Sequence, residues 1–267
     1  MLSNYRSALI TGGSSGIGFK LALRLAELEL KLVLVSENQE QLIHAKKSIL
    51  KQFPRCHVKV MCHDLSDHEA VEDLCVKVKQ LDTDIDILVN NAGFATWGNL
   101  LDTDHNKERS MMSLMIDGTY TLSRYFISQM VSKDLGCIVN VSSIAAFQPN
   151  PTLATYGACK SWIYNWTRSI SEELSELGSN VQCIAVCPTP VRTNFQKSAS
   201  MDDSKLFDSP FTVDPDDVAE GIIKAIKSKR SRVVPVIWLE MAQKVTQRLP
   251  ESWRIWIGKK MLERKDV

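Results

Sequence analysis

The feature that most constrains the fold is a repeated alternation between short apolar segments and longer segments with helical periodicity. The apolar segments, rich in Val, Ile and Leu, are residues 7–11, 31–35, 57–62, 86–89, 137–141, 181–186 and 232–236. The helical segments are residues 16–29, 39–52, 67–80, 104–131, 154–177 and 215–228. Such alternation is typical of βαβ units, and near-continuous apolar strands fit a sheet buried on both faces. The sequence therefore predicts an α/β fold with a doubly wound parallel sheet of about seven strands and helices on both faces.

Length and charge are consistent with one such domain and a tail. The 267 residues accommodate a domain over 1–237 and an amphipathic helical extension over 238–267. A net charge of +1 gives no indication of nucleic-acid binding. We find no signal-peptide pattern and no apolar run long enough to cross a bilayer, and the seven cysteines have no disulfide-framework spacing. We therefore expect a cytoplasmic protein with free thiols.

A glycine-rich turn follows the first apolar segment and opens the first helical one. Residues 11–18 read TGGSSGIG. Glycines permit a tight turn that brings the backbone close to a pyrophosphate, and free N–H groups at a helix start favour an anion. A turn whose glycines serve only packing is the alternative. In this context the sequence predicts dinucleotide binding, with contacts from Gly12, Ser14, Ser15, Gly16, Ile17 and Gly18.

Further motifs follow in a fixed order. They are Asp64-Leu65, the NNAG of residues 90–93, Ser143, Tyr156 with Lys160, and the PTPVRT of residues 188–193. With the TGxxxGxG turn, this set resembles the short-chain dehydrogenase/reductase family over about residues 7–195. The NVSSIAAFQP of residues 140–149 is similar to a bacterial branch of uncharacterised, carbonyl-reducing members.

The resemblance carries several expectations. It implies a Rossmann-type fold and hydride transfer between a nicotinamide dinucleotide and a fairly apolar ketone, aldehyde or secondary alcohol. It also implies a homodimer or homotetramer built on the helical segments 104–131 and 154–177. The rival hypothesis is a catalytically weak or inactive dinucleotide-binding protein that acts as a sensor or scaffold.

Tyr156 and Lys160 are the central catalytic candidates. Four residues apart, they share one face of a helix. A phenol normally ionises near pH 10, so we expect the neighbouring ammonium to lower the pKa of Tyr156. By resemblance, Ser143 orients the substrate oxygen, whereas Ser142 should point to the other side of its strand. The alternative is an ordinary surface pair on a helix.

The resemblance also implies the remaining contacts. The cofactor would be held by Asp64, Leu65, Asn91, Ala92, Gly93, Pro188, Val191 and Thr193, together with Tyr156 and Lys160. An apolar substrate pocket would include Phe94, Phe147 and Thr189 beside Ser143 and Tyr156. Asp64 could instead serve only as a cap near a helix start.

The sequence departs from the family pattern in two respects. Met115 stands where the family usually has an asparagine that holds a water near the lysine, so we expect a functional but slow enzyme. At the end of the second strand, Ser36 and Glu37 offer neither the acid typical of NAD-preferring members nor the base typical of NADP-preferring ones. The branch implies NADP(H), but the carboxylate of Glu37 should repel a 2′-phosphate. On charge we favour NAD(H) over NADP(H).

Three remaining features have modest implications. Cys56-His57 and Cys62-His63 lack the spacing of a zinc site, so we expect no metal. Residues 189–212 are polar and aperiodic, which suggests a substrate loop or lid, with a plain surface loop as the alternative. The tail should pack on the body or a second subunit, and peripheral membrane contact is the less favoured reading.

Overall fold

The computed structural model describes residues 2–81 and 83–264. Within that part of the chain, seven strands form one parallel sheet in the order β3-β2-β1-β4-β5-β6-β7. The strands are β1 (Ser7–Thr11), β2 (Lys31–Ser36), β3 (Val58–Cys62), β4 (Ile87–Asn90), β5 (Cys137–Val141), β6 (Gln182–Val186) and β7 (Arg232–Val233). This confirms the predicted doubly wound parallel sheet.

Helices connect the strands and cover both faces. They are α1 (Gly16–Glu27), α2 (Gln39–Gln52), α3 (His68–Lys79), α4 (His105–Met112), α5 (Thr119–Ser132), α6 (Ala154–Glu176), α7 (Phe195–Ser198), α8 (Pro215–Lys227), α9 (Ile237–Thr246) and α10 (Glu251–Met261).

Strand β1 shows how the sheet divides the core. Ala8 and Ile10 pack with α1, α2 and α8 on one face, whereas Leu9 packs with α3, α5 and the end of α6 on the other. All three side chains are fully buried. Successive strand residues point to opposite faces, so a strand covered on both sides must be apolar at every position.

Two elements differ from the sequence prediction. The segment 104–131 is helical as predicted, but its hydrogen bonding changes to a π-helical turn over Ser113–Gly118, between α4 and α5. Strand β7 is two residues long and stops short of Pro235, which has no N–H to donate to a ladder.

The loop over residues 189–212 is partly ordered by short-range structure. It contains α7 and a 3-10 turn over Lys205–Asp208, and a bridge joins Val191 to Val213. Its role as a lid stays a prediction.

The tail helices α9 and α10 lie on either side of Pro250 and pack on the body. The Arg254 guanidinium donates to the Phe147 carbonyl at 2.9 Å, and the Lys205 N–H donates to the Glu263 carbonyl at 3.1 Å. Trp253 and Trp256 remain largely exposed on the outer side. No helix within the described residues is both long and apolar enough to cross a bilayer.

Candidate active site

A cavity of about 790 Å³ opens at the carboxyl ends of the strands, where the strand order reverses between β1 and β4. Doubly wound sheets bind ligands at this switch point because the loops on either side diverge there. Every residue that the sequence analysis assigned to catalysis, cofactor or substrate lines this cavity, with the exception of Gly18.

The glycine turn has the backbone geometry that its sequence predicts, but Gly18 lies behind the turn, against the Gly12 carbonyl. Gly12 adopts φ +61°, a conformation that favours glycine. A Cβ on Gly18 would lie 2.4 Å from the Gly12 carbonyl oxygen. Gly18 therefore lets α1 pack tightly beneath the turn and does not line the cavity, so its expected contact with the cofactor stays a prediction.

The start of α1 faces the cavity with free donors. Ser15 is the N-cap residue but its side chain makes no capping hydrogen bond, so the first N–H groups of α1 have no side-chain acceptor there. Such donors, together with the helix dipole, suit a phosphate. The turn therefore fits the pyrophosphate of a dinucleotide.

Thr11 ties this turn to the NNAG segment. Its hydroxyl oxygen accepts from the backbone N–H groups of Asn91 and Ala92, both at 3.0 Å, and donates to the Val89 carbonyl at 3.3 Å. The Asn91 amide donates in turn to the carbonyls of Thr11 and Gly12 at 3.0 and 3.3 Å. One buried hydroxyl thus fixes the loops that follow β1 and β4.

The three catalytic candidates meet in the middle of the cavity. Ser143 follows β5, and its hydroxyl accepts from the Ala145 N–H at 3.1 Å and shares a hydrogen bond with Tyr156. The Lys160 ammonium donates to the Val141 carbonyl at 2.8 Å and lies 5.6 Å from the centre of the Tyr156 ring. The Ser142 hydroxyl instead donates to the Lys160 carbonyl at 2.7 Å, so it is engaged with the α6 backbone.

Burial is the largest influence on the pKa values of Tyr156 and Lys160. Desolvation raises the pKa of Tyr156 to about 12, and only its hydrogen bond with Ser143 acts in the opposite direction. Desolvation also lowers the pKa of Lys160 to about 8. The expected lowering of the Tyr156 pKa by Lys160 is therefore not found in the protein alone, because burial dominates and Lys160 is not among the groups that shift this pKa.

A buried polar network that the sequence analysis missed holds α6 against the sheet. The Asn90 amide donates to Ser123 at 2.9 Å and to Asn140 at 2.8 Å, and the Asn140 amide donates to Thr167 at 2.9 Å. These polar groups are buried, so breaking one bond would leave a donor unsatisfied. The network fixes the position of the helix that carries Tyr156.

Met115 lies in the π-helical turn and is fully buried. Its terminal methyl carbon is 2.7 Å from where a Cβ on Gly93 would be, and the Lys160 ammonium is 3.7 Å from the same point. Asp117 is exposed. A thioether thus fills the space beside the lysine, and the nearby carboxylate does not replace the missing asparagine.

The end of β2 forms the far wall. The Ser14 hydroxyl shares a hydrogen bond with the Ser36 hydroxyl at 3.2 Å and lies 3.4 Å from the Gln41 side-chain oxygen, which can accept from it, and Glu37 is exposed beside them. Asp64 accepts from the N–H and the hydroxyl of Ser66, at 2.9 and 2.7 Å, so it forms a turn while also lining the cavity. The cap of α3 is Asp67.

The substrate end has aromatic walls and a contribution that was not predicted. Phe94, Phe147, Phe195 and Thr189 line it, whereas Trp97 packs in one apolar cluster with Phe195 and Tyr156 but does not itself line the cavity. The tail also lines the cavity, through Leu239, Ala242, Gln243, Thr246, Gln247, Arg254, Ile257, Gly258, Met261 and Leu262. The amphipathic pattern identified these helices but carried no signal for which surface they cover.

Histidine, cysteine and carboxylate side chains do not gather into groups of three within the described residues. His63, one of the histidines in the zinc alternative, instead pairs with Asp73 at 2.9 Å.

Comparison with known proteins agrees with this fold. The short chain dehydrogenase family model matches residues 6–204. An uncharacterised oxidoreductase from Staphylococcus saprophyticus is 29% identical over 220 residues, which cover 82% of this chain and 90% of the relative. A short-chain dehydrogenase from Sphingobium yanoikuyae in complex with NADPH is 25% identical, with TM-score 0.79 and coverage of 92% of this chain and 97% of that one.

A Burkholderia phymatum short-chain dehydrogenase/reductase in complex with NAD has TM-score 0.81 at 22% identity, covers 98% of both chains and shares the fold. The family model spans well over half of the sequence, and the sheet order is that of a doubly wound fold. This chain belongs to the short-chain dehydrogenase family.

Proposed function

We propose that this protein transfers a hydride between a nicotinamide dinucleotide and a fairly apolar ketone, aldehyde or secondary alcohol. The observation that carries the proposal is the meeting of Ser143, Tyr156 and Lys160 in one cavity beside a glycine turn suited to a pyrophosphate. A non-catalytic binding protein would have no need of this arrangement.

The side chains would act on the substrate oxygen. Ser143 would orient that oxygen, and Tyr156 would give its proton to the nascent alkoxide in reduction. A phenol whose pKa is raised to about 12 keeps its proton at neutral pH, which suits a donor. Lys160, anchored on Val141, would face the ribose side and add positive charge beside the phenol.

The dinucleotide would supply or accept the hydride. Gly12, Ser14, Ser15, Gly16 and Ile17 would hold its pyrophosphate. The adenosine half would lie against Ser36, Glu37, Asp64, Leu65, Asn91, Ala92 and Gly93, and Pro188, Val191 and Thr193 would hold the nicotinamide half. We propose NAD(H) over NADP(H), because the cavity wall at Ser36 offers the carboxylate of Glu37. Within the described part of the chain, the Ser14 hydroxyl is bonded to Ser36 and Gln41 and to no basic side chain.

The test is a nicotinamide absorbance assay across a panel of ketones, aldehydes and secondary alcohols, with NADH, NADPH and their oxidised forms. We expect turnover by the wild type and a loss of at least about a hundredfold in Tyr156→Phe, since general acid–base catalysis contributes about that much or more. Tyr125→Phe removes a hydroxyl from α5 outside the cavity lining and is the matched control. Equal rates for wild type and Tyr156→Phe would refute the proposal.

We also propose a cytoplasmic homodimer or homotetramer. Its support is an aromatic surface on α5 and α6, where Trp162 stacks on Trp166 at 5.2 Å and Tyr120, 46% exposed, lies 5.9 Å from Trp166. Light scattering in solution should give the mass of two or four chains, and Trp166→Glu should reduce it. A monomeric wild type would contradict this assembly.

A further inference from the structure

The charged side chains that line the cavity are unevenly placed. Glu37 and Asp64 lie toward the dinucleotide end, Lys160 lies in the middle, and Arg254 on α10 lies at the tail end. The wall between Tyr156 and Arg254 includes the apolar side chains of Phe147, Ile257 and Met261. A cation at the far end of an apolar cavity is costly unless something compensates its charge.

Arg254 has little compensation from the protein. Its guanidinium donates to the Phe147 carbonyl at 2.9 Å, while its Nε is buried without a hydrogen-bond partner. Among the described residues it forms no ion pair with a carboxylate, whereas Lys260 of the same tail pairs with Glu263 at 2.8 Å. The side chain is half-buried and faces the cavity.

A second cation, Arg232, lies over the ring of Phe147 and is hydrogen-bonded to the side chain of Gln243. The Arg232 guanidinium lies 5.0 Å from the centre of the Phe147 ring and donates to the Gln243 side-chain oxygen. That bond leaves the Gln243 amide nitrogen as a free donor, and this buried atom has no partner. Gln243 and Arg254 both line the cavity, and the unpartnered nitrogen of each side chain is buried within the cavity wall.

We propose that this corner, formed by Arg254 with Gln243 and supported by Arg232, binds the carboxylate of the substrate. The preferred substrates would then be apolar carbonyl or alcohol compounds that carry a carboxylate at the end remote from the reacting carbon. The guanidinium suits such a partner because it can form charge-assisted, two-pronged hydrogen bonds with a carboxylate. The carboxylate takes no part in the hydride transfer. The inference rests on the proposed function and specifies its substrate class.

The experiment compares oxo-carboxylic acids of increasing chain length with their methyl esters, in the same absorbance assay. For the chain length that fits best, the wild type should favour the acid over the ester by at least about tenfold in kcat/KM, about 1.4 kcal/mol, chiefly through KM. In Arg254→Met that acid-to-ester ratio should fall to about one. Arg248→Met removes an exposed arginine of the same tail that does not line the cavity, so it should keep the wild-type ratio.

The ratio separates recognition from folding, because a misfolded variant loses acid and ester turnover together. Gln243→Leu provides a second variant, and its ratio should fall in the same direction. A wild type with equal kcat/KM for acids and esters would overturn the inference while leaving the proposed function intact, and so would an Arg254→Met variant that kept the preference. Absence of turnover with every compound would instead refute the proposed function and the inference together.

Discussion

The hydroxyl of Thr11 provides a sharp test of how the site is held together. In Thr11→Val the side chain keeps its shape but loses the acceptor for the N–H groups of Asn91 and Ala92, both at 3.0 Å. A donor left unsatisfied costs about 1–3 kcal/mol, and both residues are only half-buried, which allows some rescue by water. We therefore expect the free energy of unfolding to fall by about 2–4 kcal/mol.

Thr11→Ser is the matched control, since it keeps the acceptor and loses one buried methyl group, at a cost of about 1 kcal/mol. Thermal unfolding should place Thr11→Val several degrees below Thr11→Ser. Titration with dinucleotide should also show weaker binding for Thr11→Val, because the loops after β1 and β4 lose their common tether. Unfolding free energies for the two variants within about 0.5 kcal/mol of each other would refute the role given to this hydroxyl.

Three further results are expected. Glu37→Gln should raise the NADPH-to-NADH ratio of kcat/KM by about fivefold, because a screened Coulomb repulsion of order 1 kcal/mol is removed; an unchanged ratio would exclude Glu37 as the determinant. Met115→Asn should increase turnover even though it lowers the stability of the protein. Met111→Asn introduces the same amide at another buried position of the apolar cluster that contains Met115, and it should only destabilise. If Met115→Asn gives no gain in rate, an asparagine-held water near Lys160 is not what limits turnover. Burial lowers the pKa of Lys160 to about 8, compared with 10.5 in the unfolded chain. Between these two pH values the unfolded chain therefore holds more protons than the folded one. As pH rises through this window, the free energy of unfolding of the wild type should increase relative to that of Lys160→Met. Parallel melting curves of these two proteins across that range would contradict the shift.

The sequence predicts most of the framework because strands and helices have distinct apolar periods. Strands β1 and β5 and helix α2 match their predicted bounds to the residue. The π-helical turn was missed because one extra residue in a turn hardly disturbs a helical pattern over 28 positions. A period reports which face of an element is buried but gives no information about a local change in hydrogen bonding.

The site was predictable where residues adjacent in sequence, or one helical turn apart, do the chemistry, as with Tyr156 and Lys160. It was not predictable where distant elements converge. The link from Asn140 to Thr167 and the approach of Arg254 to Phe147 span 27 and 107 residues. The raised pKa of Tyr156 was also not predictable from the sequence, because it results from burial and burial depends on the whole fold.

The most direct test of the account is a crystal structure with bound dinucleotide. It should place the hydroxyls of Tyr156 and Ser143 on one side of the nicotinamide ring, both facing the carbon that carries the hydride, with Lys160 directed toward the ribose. If the Tyr156 hydroxyl were turned away from the ring while the dinucleotide occupied the glycine turn, the assignment of the catalytic acid would be wrong.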